Sequence, residues 1–178
     1  MRGLSIRHPW AWAIVHAGKR IENRDWYCDY RGPVLIHASK LRLPKRDKIP
    51  AEFVSEWRAM QRILDVLGVD KQTLPAVSFR SLASTSGGIV GRARIVDCIL
   101  PEGGIVGSRP REQDSQNRES PERHRLADDP WYMGAYGFVL EDVEPLPFVA
   151  YPGALGLWKV KDRVMETIDR LAGANQCH

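Results

Sequence analysis

Apolar residues fall three and four apart at Trp10, Ala13, Ile14 and Ala17, the spacing of one helical face. Pro9, with no N–H and a fixed φ, suits a first helical position, and Gly18 suits the residue just past a helix end, so the spacing predicts a short helix over Pro9 to Ala17. From Arg20 to Trp26 the period shortens toward two. If this segment is extended, Lys19, Ile21 and Asn23 alternate against Arg20, Glu22 and Arg24, and Glu22 and Arg24 share a face. Arg31-Gly32-Pro33 signals a turn. Val34 to Ala38 is then a continuous apolar run of strand length, as expected of a strand covered on both sides.

Farther along, Leu43-Pro44 breaks structure, and Phe53, Trp57, Met60, Ile63, Leu64 and Leu67 recur at helical spacing within Ala51 to Leu67, closed by Gly68. This reads as a helical insertion over about 44–68 that faces the core or forms a lid. Lys71 to Gly87 is ambiguous between a short helix and a covering loop. Gly88 to Leu100 alternates as a strand, with small and branched residues inward and Arg92 and Arg94 outward. Residues 101–129 are rich in Gly, Pro, Ser and both charge signs and nearly free of aromatics, which predicts a mobile loop. Gly137 to Val143 is a strand, Pro145, Pro147 and Pro152 punctuate an extended connection, Gly156 to Val160 is a last strand, and Asp162 to Ala172 is a terminal helix. Five or so short strands with helices around them suggest a small closed or nearly closed barrel in an α+β fold.

A chain of 178 residues, 43% hydrophobic and 27% charged, has the length and composition of one globular domain with its own core. No apolar run approaches the roughly eighteen residues of a membrane span, and the start lacks a basic region followed by an apolar one, so no membrane association and a cytoplasmic location are expected. Cys28, Cys98 and Cys177 are an odd set without C-x-x-C spacing, which argues against a disulfide framework and a zinc ribbon and for reduced thiols in or near the core. No metal and no cofactor is expected. Charge is unevenly spread: residues 1–50 carry eleven Lys and Arg against four Asp and Glu, whereas the remaining 128 carry fifteen against eighteen. A positive field on the first third would attract polyanions in a salt-dependent way, with Lys40, Arg42, Lys45, Arg46 and Lys48 either part of it or a solubilising loop.

Several blocks carry a family resemblance. S-I-R-x-P-W-A at Ser5 to Ala11, K-x-x-E-x-R at Lys19 to Arg24, Y-R-G-P-V-L-I-H-A-S at Tyr30 to Ser39, G-I-V-G-R-A-R-I-V-D-C at Gly88 to Cys98, Y-G-F-V-L-E-D-V at Tyr136 to Val143 and G-A-L-G-L-W-K-V at Gly153 to Val160 resemble the ASCH domain of the PUA-like superfamily. Two positions depart from its pattern: Ala17 stands where a glycine is usual, and His8 where a glutamine is common. The resemblance implies a PUA-like small β-barrel of about five to six strands with flanking helices. It also implies one domain over 1–162, with 163–178 as its C-terminal helix and tail, and a ligand cleft beside the first helix lined by K-x-x-E-x-R.

A lysine and an arginine around one carboxylate can present donors to a phosphate or a nucleobase edge, Arg as a planar fork and Lys as a point charge. Trp10, Trp12, Trp26 and Tyr27 offer faces for stacking, worth ~1 to 3 kcal/mol per base. The bland alternative is a salt bridge that pins the helix to the barrel. With the resemblance, the reading is a nucleic-acid-binding domain whose partner is RNA or a modified nucleoside, with DNA as a competing ligand. Trp10, Lys19, Glu22, Arg24, Trp26, Ser39 and Lys40 are the candidate binding residues. Some ASCH-related proteins are N4-acylcytidine amidohydrolases that use a lysine, a threonine three residues later and a distant glutamate; here Lys19 matches the lysine, but Glu22 holds the threonine position. If the protein is an amidohydrolase or a ribonuclease, Lys19, Glu22 and Arg24 are the catalytic candidates, with Asp97, Glu102 or Glu119 as the distant carboxylate and His8 or His37 moving protons. His37, set in an apolar strand, reads first as a hydrogen-bonded core histidine. A third reading is a protein-interaction surface over Trp131 to Pro152.

Overall fold

The computed structural model describes residues 1–42, 49–99, 126 and 128–174. Expectations for Lys45, Arg46, Lys48, Glu102, Glu119, Cys177 and nearly all of the 101–129 loop lie outside the described residues. Element order is β1 (Arg2–Ile6), α1 (Trp10–His16), β2 (Ile21–Arg24), β3 (Gly32–Ala38), α2 (Ala51–Val66), α3 (Phe79–Ser84), β4 (Gly88–Ile99), β5 (Tyr136–Ala150), β6 (Leu157–Lys159) and α4 (Asp162–Ala174). The strands form one six-stranded curled sheet in the order β2-β5-β4-β3-β1-β6, an α+β fold consistent with a PUA-like barrel. Register shifts between Ile89 and Gly91, Arg92 and Arg94, and Ile95 and Asp97 interrupt the long β4–β5 ladder. Such irregularities bend a strand pair and increase its twist, which curls the sheet.

Two elements depart from the sequence expectation. β1, absent from it, pairs parallel with β3 and antiparallel with β6. Its apolar residues are few, and a side chain at Gly3 would collide with the Trp158 indole, 2.6 Å from the nearest ring atom. The supposed connection around Pro145 and Pro147 is instead the second half of β5. Partner β2 pairs only with Tyr136 to Val139, so beyond that point one side of β5 is an edge, where a missing N–H breaks no ladder.

Helix α1 runs from Trp10, with Pro9 as its N-cap, and Gly18 beyond its end has φ +68°. It buries more than one face. Ala11, Ile14 and Val15 pack on the sheet with Leu4, Ile36 and Phe138, while Trp12, Ala13 and Ala17 pack with Met60, Leu64 and Trp131. The helix is thus wedged between the sheet and α2. That arrangement explains why Trp12, a candidate stacking platform, is only 7% exposed. β3 is covered on both faces from Val34 to Ala38, as its apolar run predicts. Val164 and Ile168 of α4 close a third cluster with Leu35, Ile89 and Val160. Cys28 and Cys98 are free and buried, and burial pushes the Cys98 thiol up to about 11.

His8 is almost fully buried, and neither ring nitrogen makes a hydrogen bond of normal geometry. Burial pushes its pKa down to about 4; the nearby Thr85 backbone offsets this in part, and His16 adds to it. An unfolded histidine titrates near 6.5, so between roughly pH 6.5 and 4 the unfolded chain binds the proton and the folded one does not. Stability is therefore expected to be unaffected by this group above pH 6.5 and to fall as pH drops toward 4, by up to ~3 kcal/mol. Urea unfolding of wild type and His8→Gln across this range checks it: the variant should lose that part of the pH dependence, and parallel curves would refute the assignment.

Candidate functional site

The turn after α1 decides the site. Gly18 in the left-handed region sends the chain back under the helix, where the Lys19 backbone N–H donates to Ala13 O at 3.0 Å. Lys19 precedes β2, so strand alternation does not govern its side chain. It is 1% exposed and donates to the Ile21 carbonyl, with the ammonium 3.6 Å from a Glu22 oxygen. The Trp10 and Trp131 rings lie 5.7 and 5.9 Å from its Nζ. Burial pushes the Lys19 pKa down, and the Glu22 charge pulls it back up.

On β2, Glu22 and Arg24 do share a face. Arg24 Nη2 lies 3.1 Å from Glu22 Oε1 and donates to the Ser5 carbonyl on β1 at 2.7 Å. Ile21 turns into the core on the opposite face. The three charged residues form the floor of an open cleft of about 340 Å³, walled by Trp10, Arg7, Ser5 and Met133. Helix α2 braces one wall: Glu56 pairs with Arg7 at 2.8 Å and accepts from the Trp10 indole, and burial pushes its carboxyl up.

A second tier of residues, missed at the sequence level, fixes this floor. Asp129 is buried, 2.6 Å from Arg20 Nε, and accepts from the Trp131 backbone N–H at 2.8 Å. Asn23 donates to Trp131 O and accepts from Met133 N, both at 2.8 Å. Only the run Asp129-Pro130-Trp131, turn residues ahead of a large aromatic, offered a signal.

The other predicted residues lie elsewhere. Ser39 and Lys40 line a separate cleft of about 730 Å³ on the other side of Ser5. Trp26 lies among the lining residues of neither cleft and packs edge-on to Phe138, ring centroids 4.9 Å apart. Tyr27 packs on Tyr136. His37 is a core histidine whose Nε2 is 2.9 Å from Tyr151 O. Asp97 pairs with Arg31 at 3.2 Å and lies outside the Lys19 cleft. Much of the positive excess of the first third is paired within the fold, through Arg7, Arg20, Arg24 and Arg31. Trp131, the anchor of the supposed interaction surface, is 1% exposed.

A family profile described as "ASCH domain" matches residues 4–145, which runs from within β1 to within β5 and includes every residue of the Lys19 cleft. The chain belongs to the ASCH domain family. That family is generally linked to RNA binding. Among curated proteins, human "Activating signal cointegrator 1" is 33% identical over 96 residues, 54% of this chain but 14% of that protein. The match thus spans a small part of that relative. No helix among the described residues of this ASCH domain is long and apolar enough to cross a membrane.

Proposed function

We propose that this ASCH domain binds RNA by taking a base, plain or modified, into the cleft floored by Lys19, Glu22 and Arg24. The observation that supports the reading is a nearly dry ion triad beneath an open pocket. Well-packed apolar residues would usually hold a fold as well as buried charges do, because desolvation offsets the Coulomb attraction. Charges kept at the bottom of a cleft therefore suit ligand recognition. An unstacked base presents donors and acceptors on its edges, which match a carboxylate and an arginine, and its face matches the Trp10 ring. The family's link to RNA points the same way.

Affinity for single-stranded RNA is expected to fall linearly with log salt. Arg24→Lys should weaken it about tenfold while the protein stays folded, because an ammonium can keep the Nη2 contacts to Glu22 and Ser5 but cannot offer a base edge the planar pair of donors of a guanidinium. Titration of a labelled oligoribonucleotide at two salt concentrations reads both effects. Equal affinity of the folded variant would overturn the site.

Hydrolysis at the same cleft is the second reading, favoured by one observation: burial pushes Lys19 toward its neutral, basic form. Glu22 supplies no hydroxyl nucleophile, and its carboxylate is held between two cations, which suits recognition better than base catalysis. Turnover of N4-acetylcytidine or cleavage of RNA, lost in Lys19→Met, would establish the enzyme.

A further inference from the structure

The larger cleft lies against the first. Ser5, a single residue of β1, lines both, and its backbone carbonyl holds Arg24 on one side while its hydroxyl donates to Ala154 O at 3.0 Å on the other. The wall between them is therefore one strand residue thick. Trp158 Nε1 donates to the Ser5 hydroxyl at 3.2 Å and its ring stacks on Tyr151, centroids 5.6 Å apart and planes 9° from parallel. These contacts fix the segment from Tyr151 to Leu155 as the far wall of the cleft. A Cβ at Gly153 would lie 2.6 Å from Ser5 Oγ and 2.8 Å from His37 Nδ1, so only a glycine lets the wall sit this close.

The chemistry of this cleft is uneven. Among the described residues Lys40 is the one charged residue lining it, and no carboxylate there pairs with it. Its stem crosses Gly87, which has φ +78° and no Cβ to displace the stem. Beneath the floor, His37 is 3% exposed and gives its Nε2–H to Tyr151 O, while its Nδ1 has no partner and is closed off by Gly153. The rim is apolar: Leu155 is 98% exposed. A cation without a carboxylate partner among the described residues and an apolar wall suit a phosphate and a base in turn. Continuity with the first cleft through Ser5 favours a second residue of the same strand over a separate acidic peptide.

We propose that the Lys40 cleft is a second nucleotide subsite, so that the ligand is an RNA strand of at least two residues laid across Ser5. This rests on the first cleft being a nucleotide site. Lys40 takes the phosphate next to the base held over Glu22 and Arg24, and the neighbouring base lies on the Tyr151 to Leu155 wall.

The test is a length series: random-sequence oligoribonucleotides of one, two and six residues, titrated against wild type, Lys40→Gln, Arg24→Lys and, as a control, Lys71→Gln. Wild type and the control should tighten about tenfold from one residue to two, the effect of one added charge-assisted contact. Lys40→Gln should flatten that step and lower the salt slope by about 0.7. A variant that keeps the wild-type step and slope overturns the proposal. If single nucleotides bind and respond to Arg24→Lys while the second residue adds nothing, the second subsite fails alone. If even single nucleotides ignore Arg24→Lys, the first-cleft reading fails and takes this one with it. If Lys40→Gln weakens polyglutamate as much as RNA, the cleft is an acidic-peptide site and the proposal falls.

Discussion

Glu22→Ala is expected to destabilise the protein by about 3–5 kcal/mol and to abolish RNA binding, because it strands a buried ammonium without its carboxylate. Glu22 and Lys19 side chains are 8% and 1% exposed, so water does little to screen the loss. Arg24 loses its acid partner as well and keeps only the Ser5 carbonyl. The double variant Lys19→Met/Glu22→Gln separates fold from function. Removing the charge pair together should restore much of the stability, since neither desolvated charge is left behind, while binding stays lost. Urea midpoints and an RNA titration on the same samples give both readings. A shift below about 1 kcal/mol for Glu22→Ala would mean that the pair behaves like an exposed salt bridge and does not form the dry floor of a cleft.

The second large effect is expected at Trp131, for which truncation to alanine should cost about 3–5 kcal/mol. The indole is 1% exposed and fills the space between α1, β2 and α2 together with Trp12, Met60 and Leu64. It also lies over the Lys19 ammonium, and its backbone is held by Asp129 and Asn23. Removing it should therefore loosen Met133, which edges the cleft, so RNA affinity should fall even at temperatures where the variant is folded. Trp131→Phe, which keeps an aromatic ring in the space, should recover most of the stability. If Trp131→Ala unfolded at the wild-type urea concentration, the cluster would not depend on this ring.

The elements that the chain announced were those whose pattern is local. α1 has a helical spacing bounded by Pro9 and Gly18, β3 is an unbroken apolar run, and β4 alternates cleanly, so each was visible from neighbours alone. β1 was invisible because its strand character comes from being gripped on both edges, by β3 and β6, and by the Trp158 ring over Gly3. The far half of β5 was hidden by Pro145 and Pro147, which break a strand only where both edges are paired.

For the site, the spacing of Glu22 and Arg24 placed both on one strand face, and the family resemblance placed Lys19 with them. Burial was not legible. Nothing in K-x-x-E-x-R says that the lysine is dry, since a lysine is buried only when the surroundings supply a carboxylate, a carbonyl and two aromatic faces at once. Those partners come from positions as distant as Trp131. For the same reason Ser39 and Lys40, seven and eight residues on from Gly32 and continuous with the signature, turned out to line a different cleft.

By itself the sequence determined the family, the α+β barrel and the identity of the charged triad, because periodicity and short motifs are properties of neighbouring residues. The tertiary structure alone decided which side chains lose their water, which face which cleft, and that one residue, Ser5, stands between the two. Those outcomes depend on strands and loops brought together across more than a hundred residues of chain, as Ser5 meets Ala154 and Asn23 meets Trp131, and no local pattern encodes such a meeting.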